Sequence, residues 1–427
     1  QFTMPVVCRD GKPIPCQVEK EISNQPVDWR KRSVFRAELA PGQVNRFTCN
    51  LKRVLKKRPA PKLRPKDGLF ELRTESMCAV IDAKTGLMTR YEVNGMNYLA
   101  GDGIVPLVMV DDEDSWSTGS VRYREVEGRF TILSRKAAMR LSGLKGKVIA
   151  PVRVIEDGEV RTVIEALFGY GDSFLVLTYS LPKQGSEIGL HARVFWGEKS
   201  RMLKLAVTTP FNGGRYLGQT AYGWEEMPGA EREVAAQKWT AAVSPDGQHA
   251  LTCINEGSYG SDFVDGEMRL TLLRSPAYSS SPVGDRPVVR PDGFTPRIDQ
   301  GERQFRFWLN AGPYRARIEA VDREALVNNE KPFLLSFNPS GMGTAPLPGV
   351  LLHDSVVQLT AFKQAEQSQH FVMRLFEPTG QARTATVELP ALEIRQEIAF
   401  GPFEIKSYLV DPESKTLTEI DLVERPL

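Results

Sequence analysis

The stretch FLVLTYSLPKQGSEIGLHARVFWGEKSRMLKLAV, residues 174–207, decides the fold class of this chain. Its apolar runs are short, and Pro182, Gly185 and Gly197 separate them. Short apolar runs bounded by Gly and Pro are typical of β-strands joined by tight turns. The stretch therefore predicts consecutive antiparallel strands.

Turn signals of the same kind recur elsewhere in the chain. Asp10-Gly11 and Asn94-Gly95 each lie between apolar runs, and such dipeptides tolerate the positive φ of a hairpin turn. Strand signals continue over about 250 residues, which is more than one immunoglobulin-like unit contains. They predict a large all-β sandwich in which two antiparallel sheets bury their inner faces against each other.

One segment has the pattern of a helix. In YRARIEAVDREALVNN, residues 314–329, Ile318, Val321 and Leu326 can share one face. A (β/α) barrel or a Rossmann unit needs strands that alternate with helices of about ten or more residues. That alternation is missing, and so are the glycine-rich phosphate-binding motifs, so nucleotide chemistry has no support.

Two segments indicate domain boundaries in a chain whose 427 residues suggest about three domains. The segment KKRPAPKLRPKDG, residues 56–68, is rich in proline and basic residues and has no periodicity. We interpret it as a linker or an extended crossing segment. The second boundary follows the predicted helix, where Pro332 precedes a new series of strands.

Charge and hydropathy exclude several kinds of partner. The net charge of +2 does not provide the broad basic field that nucleic acid requires. No apolar run approaches the ~18 residues of a membrane span. We therefore expect neither nucleic acid nor a membrane as a partner. The first residues contain no secretory signal and no initiating methionine, which predicts a chain that starts within a longer polypeptide.

The cysteines do not form a recognisable framework. Their number is odd and no CxxC pair occurs, so a disulfide scaffold and a zinc ribbon are both disfavoured. We expect reduced thiols and a cytoplasmic protein. The cysteines are Cys8, Cys16, Cys49, Cys78 and Cys253.

Motifs for metal and serine chemistry are also missing. The four histidines form neither an HxH nor an HExxH pair, and we interpret each as an ordinary polar or half-buried side chain. No GxSxG elbow occurs, which disfavours a serine hydrolase. The histidines are His191, His249, His353 and His370.

The densest acidic cluster is DDEDSW, residues 111–116. Without an EF-hand pattern we interpret it as a solvated loop rather than a calcium site. Glycoside hydrolysis needs two carboxylates about 5–10 Å apart, and composition does not select such a pair. Aromatic and charged side chains at loop ends would nevertheless suit a sugar-binding surface.

The stretch GEMRLTLLRSPAY, residues 266–278, ends a predicted strand in an unusual way. Its leucine-rich run closes on Arg274, and Ser275, Pro276 and Tyr278 follow. Pro276 fixes its own φ and would stiffen this turn. The pattern indicates an arginine presented beside a rigid turn.

Several phrases, taken in order, resemble the post-catalytic half of the family 38 α-mannosidases. The similarity runs across most of residues 1–427. The phrases are VFWGEKSRMLKLAV, AYGWEEMP, CINEGSYGSDFVDGEMRLTLLRSPAYS, RIDQGERQFRFWLNAG, VVQLTAFKQAEQSQHFVMRLFEPTGQARTATVELP and FEIKSYLV.

The resemblance implies three domains. These are a small β-sandwich domain at 1–60, a large mutarotase-like super-sandwich at 61–330 and a C-terminal β-sandwich at 331–427. In the family an N-terminal (β/α) barrel precedes them and holds the nucleophilic aspartate and a divalent metal, usually zinc. Nothing in this sequence resembles that barrel, so we expect no catalytic residue and no cofactor in this chain.

The resemblance also implies two accessory residues. In relatives the large sandwich sends an arginine and a tyrosine to the rim of the sugar pocket. Arg274 in LLRSP matches the arginine, and Tyr222 in AYGW is the candidate for the tyrosine. The planar guanidinium can bond adjacent sugar oxygens without losing its charge. The alternative is that Arg274 pairs with a nearby carboxylate and holds a domain interface.

The leading hypothesis is the C-terminal β region of an α-mannosidase-like retaining glycoside hydrolase. It would form one wall of the sugar site, support the barrel of the same polypeptide and contact a mannose-containing glycan. Alone it would be inactive. A second hypothesis is a stand-alone carbohydrate-binding or scaffold protein. A third is an independent epimerase or lyase, which would need a catalytic His or a Tyr–acid pair in a closed cleft.

Overall fold

The computed structural model describes residues 2–20, 31–54, 61–111, 114–116, 122–146, 148–277, 292–337 and 343–427. Part of the predicted 56–68 linker therefore lies outside the described residues. Within 61–68 the chain forms neither a helix nor a strand.

The first strands form small sheets. β1 pairs with β2 and β5, β3 pairs with β4, and β6 to β9 follow one another in a meander. At Asp10-Gly11 and Asn94-Gly95 all four residues have positive φ, which confirms both predicted hairpin turns. The strands are β1 (Phe2–Arg9), β2 (Lys12–Pro13), β3 (Cys16–Val18), β4 (Ser33–Phe35), β5 (Thr48–Val54), β6 (Leu69–Arg73), β7 (Met77–Asp82), β8 (Met88–Val93) and β9 (Met96–Asn97).

The middle of the chain forms the next series of strands and helices. They are β10 (Ile104–Val110), β11 (Val126–Arg129), β12 (Thr131–Ile132), α1 (Arg135–Ser142), β13 (Val152–Asp157), β14 (Arg161–Tyr170), β15 (Ser173–Pro182), β16 (Ile188–Trp196), β17 (Arg201–Thr208), β18 (Arg215–Thr220), β19 (Gly223–Glu226), β20 (Val234–Ala235), β21 (Trp239–Val243), β22 (His249–Asn255), β23 (Gly260–Val264), β24 (Glu267–Arg274), β25 (Gly301–Pro313) and α2 (Tyr314–Asn329).

Two large antiparallel sheets arise from these strands. Sheet A has the order β11-β10-β17-β24-β23-β20, and sheet B has the order β12-β14-β15-β16-β25-β22-β21-β18-β19, with β13 added to β14. Buried and half-buried residues alternate strictly along β15 and β16, so one face of sheet B is inside. Leu177 and Ala192 of sheet B share one apolar core with Leu205 and Leu270 of sheet A. The predicted all-β super-sandwich is confirmed.

The last part of the chain forms a second sandwich with its own apolar core. One of its sheets has the order β27-β28-β31-β32 and the other has the order β26-β29-β30. A short 3-10 turn, Pro390–Leu392, precedes β30. The strands are β26 (Leu351–Leu352), β27 (Gln358–Gln364), β28 (Phe371–Phe376), β29 (Arg383–Leu389), β30 (Ile394–Phe400), β31 (Ile405–Asp411) and β32 (Thr416–Ile420).

Helix α2 has the bounds expected from the sequence. Ile318 and Val321 are buried against the outer face of sheet B, where they pack with Trp239 and Ala241. Helix α1 was missed, although Ser134 accepts a hydrogen bond from the Ala137 amide at its N-terminus, as an N-cap does. With 8 and 16 residues, neither helix is long and apolar enough to cross a membrane.

Two carboxylates accept hydrogen bonds from polar side chains of helix α2. Glu324 accepts a hydrogen bond of 2.9 Å from Arg317, and Asn328 donates to Glu187 in the turn after β15 at 3.3 Å. Burial, followed by the negative charge of Glu324, raises the pKa of Glu187 to about 7. This carboxyl therefore binds its proton more tightly in the folded state than in the unfolded state.

We predict that Glu187→Gln changes the pH dependence of stability. A raised carboxyl pKa lowers the free energy of unfolding as pH rises from 4.5 to about 7. The variant should match the parent below pH 4.5 and be more stable by about 1–3 kcal/mol at pH 8. Urea unfolding across this range measures the difference. Glu319→Gln, at an exposed position of the same helix, is the control, and equal pH profiles for all three proteins would refute the prediction.

Candidate functional site

Arg274 ends strand β24 and forms a buried ion pair. Its Nε lies 3.0 Å from Oδ2 of Asp111, and its Nη2 lies 2.6 Å from Oδ1 of the same carboxylate. Nη2 also donates to the carbonyl oxygen of Asp114 at 2.9 Å. The side chain of Arg274 is 15% exposed and that of Asp111 is fully buried. The planar guanidinium thus holds the carboxylate with two parallel hydrogen bonds.

The topology of sheet A explains this pairing. Strands β10 and β24 lie on either side of β17 and are both antiparallel to it, so they run in the same direction and end together. Met109, Met202 and Arg274 are neighbours across the three strands. Asp111 directly follows β10, so the arginine at the end of β24 reaches it across β17.

An aromatic ring covers the guanidinium. The Cζ atom of Arg274 lies 4.6 Å from the ring centroid of Tyr123. That ring is buried with Met109 and Met202 in a small apolar cluster. A guanidinium over a desolvated aromatic face gains a cation–π attraction. Arg274 therefore links the loop after β10 to the segment that enters β11.

Ser275 fixes the backbone beside Arg274. Its hydroxyl accepts a hydrogen bond of 3.0 Å from Nε1 of Trp196 and donates one of 3.1 Å to the carbonyl oxygen of Arg201. Its carbonyl oxygen accepts a hydrogen bond of 2.7 Å from the Ser200 amide. The backbone directly after Arg274 is thus held against residues 200 and 201, at the start of β17.

The acidic cluster at 111–116 contains the hydrogen-bond partners of Arg274. The expectation of a solvated loop is wrong for Asp111 and Asp114, because both are buried; residues 112 and 113 lie outside the described residues. Asp114 accepts a hydrogen bond of 2.9 Å from the Trp116 amide. The indole of Trp116 is 65% exposed. The loop therefore contains two buried aspartates and an exposed tryptophan.

Tyr222 lies in the tight turn between β18 and β19, in sheet B, and contacts a different part of the chain from Arg274. Its backbone has a φ of 54°. Its ring packs edge-on against Phe376 of the C-terminal sandwich at 5.2 Å, and Trp224 packs in the same way against Phe403 at 5.9 Å. These two aromatic pairs join the super-sandwich to the C-terminal sandwich.

The histidines are dispersed, as expected. His249 lies 3.1 Å from the Tyr98 hydroxyl, and His191 lies 3.1 Å from Gln304. His353 lies 3.0 Å from Glu388. Across the described ranges, no group of three or more His, Cys, Asp or Glu side chains could hold a metal ion.

We predict that removal of one partner of the Arg274–Asp111 pair destabilises the fold. Arg274→Met should lower the free energy of unfolding by about 3–5 kcal/mol, because it leaves a buried carboxylate unpaired. Arg274→Met/Asp111→Leu should lose clearly less, since no isolated charge remains. Urea unfolding measures Arg274→Met, Asp111→Leu and the double variant. A double variant that loses as much as the sum of the single changes would rule out this coupling.

We also predict that the ring of Tyr222, and not its hydroxyl, contributes to the stability of this chain. Tyr222→Phe should retain the thermal stability of the parent, whereas Tyr222→Ala should lose about 1 kcal/mol because the edge contact with Phe376 is lost. Thermal unfolding of the two variants checks this. A loss of stability in Tyr222→Phe would show instead that the hydroxyl carries the interaction.

Comparisons with known proteins give the same family as the sequence phrases. The model for the glycosyl hydrolases family 38 C-terminal domain matches residues 72–293. The model for the family's C-terminal beta sandwich domain matches residues 356–399. No curated protein matches the sequence.

Two solved structures share the fold. One is an alpha-mannosidase from Enterococcus faecalis, with a TM-score of 0.70, 14% identity, and coverage of 96% of this chain and 51% of that chain. The other is a protein in the glycosyl hydrolase family 38 from the same organism, with a TM-score of 0.69, 14% identity, and coverage of 96% and 53%. This chain thus spans about half the length of the structures it matches. The resemblance to family 38 is confirmed, and because the first family model covers more than half of its residues, the chain belongs to glycosyl hydrolase family 38 and corresponds to the family's C-terminal region.

Proposed function

We propose that this chain is the C-terminal part of an α-mannosidase-like retaining glycoside hydrolase and forms one wall of its sugar site. That wall is the Arg274 cluster, defined as Asp111, Asp114, Trp116, Tyr123 and Arg274. The family match supports the enzyme class. The alpha-mannosidase activity named for one structural neighbour supports a mannose-containing substrate. The catalytic barrel would be the partner domain of the same polypeptide.

The observation that carries the proposal is a buried ion pair that holds the loop in which Trp116 is exposed. Arg274 holds the fully buried carboxylate of Asp111, and Asp114 binds the amide of Trp116. An indole offers an apolar face that suits a pyranose ring. A surface fixed before binding loses little conformational entropy when a sugar arrives. In this proposal Arg274 is a positioning residue, and Trp116 contacts the sugar.

The chemical steps belong to the barrel in this proposal. A retaining glycosidase needs a carboxylate nucleophile and a second carboxyl that acts first as acid and then as base. The resemblance implies that the barrel holds the nucleophilic aspartate and a divalent metal, usually zinc. The described residues contain no group of three or more side chains that could hold a metal.

A second candidate function is carbohydrate binding by this chain alone. The exposure of Trp116 favours it, because the indole is accessible without another domain. Calorimetric titration of the chain with mannosides distinguishes the two candidates. Measurable affinity without hydrolysis would favour the stand-alone binding protein, and no affinity would favour the wall of a composite site.

We predict that Arg274→Ala lowers kcat/KM of the complete gene product on an aryl α-mannoside by about tenfold or more, because the sugar-site wall loses its support. Trp116→Ala should raise KM. Arg383→Ala is the matched control: its side chain is 16% exposed and pairs with the fully buried Glu377 in the C-terminal sandwich. Unchanged turnover in Arg274→Ala, or equal losses in Arg274→Ala and Arg383→Ala, would eliminate the proposed role.

A further inference from the structure

Arg297 lies between strands β24 and β25 of the super-sandwich. It forms an isolated antiparallel bridge with Ala277, and the Ile298 amide donates a hydrogen bond of 3.3 Å to the carbonyl oxygen of Pro276. The side-chain amide of Gln300 donates a hydrogen bond of 3.0 Å to a carbonyl oxygen in the turn after β16. The backbone around Arg297 is therefore held in place on two sides.

The guanidinium of Arg297 has few partners for a charged group. Its Nη1 donates a hydrogen bond of 2.7 Å to the carbonyl oxygen of Thr295. Its Nε is buried and has no hydrogen-bond acceptor among the described residues, and Arg297 forms no ion pair with any of them. A buried donor without an acceptor costs free energy, and so does a charge that has lost water without gaining a counterion. Buried donors without a partner are uncommon in folded proteins, and a bound ion is one explanation for them.

Arg274 shows what the same edge of a guanidinium binds when an acceptor is present. Its Nε and Nη2 atoms hold the two carboxylate oxygens of Asp111 at 3.0 Å and 2.6 Å. In any arginine these two N–H groups point in the same direction and match two oxygens of a carboxylate or a phosphate. The hydrogen bond from Arg297 to Thr295 uses Nη1. The Nε–Nη2 edge of Arg297 therefore makes no hydrogen bond to the described residues.

We propose that the Nε–Nη2 edge of Arg297 is a binding site for an oxyanion, namely a carboxylate or phosphate group of a small ligand. The oxygens accept hydrogen bonds from Nε and Nη2, and their negative charge neutralises the guanidinium. The side chain of Arg297 is half-buried, so the ligand enters from solvent and the bonds form in a partly desolvated place, where they are stronger than in water. Because the backbone is already held, little entropy is lost on binding.

This site is separate from the Arg274 cluster and does not depend on the proposed function. A free anion and an acidic group attached to a sugar present the same oxygens to Arg297. Titration with both kinds of ligand therefore decides which source of the oxyanion is preferred.

The test uses the full chain with isotope-labelled arginine in a buffer without oxyanions. The Nε–H resonance of Arg297 is identified by its absence from the NMR spectrum of Arg297→Lys. Sodium phosphate, sodium acetate and mannose 6-phosphate should each shift this resonance saturably, whereas mannose should not. Tighter binding of mannose 6-phosphate than of phosphate would support the site and assign a sugar-linked anion to it. Equal affinities would support the site and assign the free anion.

Calorimetric titration with phosphate measures the affinity of the variants. Arg297→Gln should bind phosphate at least about tenfold more weakly, because the fork and its charge are lost. Arg303→Gln is the matched control, since Arg303 in β25 is 45% exposed and lies 3.9 Å from Asp299. That change removes the same charge without touching the fork, so the affinity should stay within about twofold. Without oxyanions, Arg297→Gln should keep the parental Tm, because no ion pair with the chain is lost.

Three results would overturn the inference. The first is the absence of a saturable shift of the Arg297 resonance with any of the three anions. The second is an equal loss of phosphate affinity in Arg297→Gln and Arg303→Gln, which would show attraction by net charge alone. The third is a clear drop in the Tm of Arg297→Gln without oxyanions, which would show that the chain itself supplies the acceptor.

Discussion

The Arg274–Asp111 ion pair is the interaction on which the candidate site depends. It joins the ends of two parallel-running strands, β10 and β24, across the strand between them. Both charges are largely removed from water. Removal of either side chain would therefore leave an unpaired buried charge and destabilise the fold. The loop that carries Trp116 and the segment that carries Tyr123 both take their positions from this pair.

The same face of sheet A carries further buried charges. Lys204, two residues beyond Met202 on β17, is fully buried and lies 2.7 Å from Asp262. Asp262 also accepts a hydrogen bond of 2.8 Å from Arg269. Such charges are costly to desolvate unless each has a partner, and here Lys204 and Arg269 share the carboxylate of Asp262. Arg274 lies at the end of the same face, beside the apolar cluster of Met109, Met202 and Tyr123.

The fold could be predicted from the sequence because the strands, the turns and helix α2 have local sequence patterns. Asp10-Gly11 fixes a hairpin through its own backbone preference, and the spacing of Ile318 and Val321 indicates one helical face. Arg274 and Asp111 are 163 residues apart, and nothing local in either stretch specifies their pairing. The position of Tyr222 against Phe376 likewise depends on how two domains pack. Helix α1 did leave a signal, in Ser134 and the Gly143 that ends it, but it is too short for a clear periodicity.

Family membership, the buried ion pair and the exposed indole are the observations that support the proposal of a preformed wall for a sugar site. The most direct test is a crystal structure of the complete gene product with a bound mannoside. The account predicts that the sugar lies against the indole of Trp116, with the Arg274–Asp111 pair intact beneath it. A sugar bound elsewhere, with Trp116 facing bulk solvent, would contradict it.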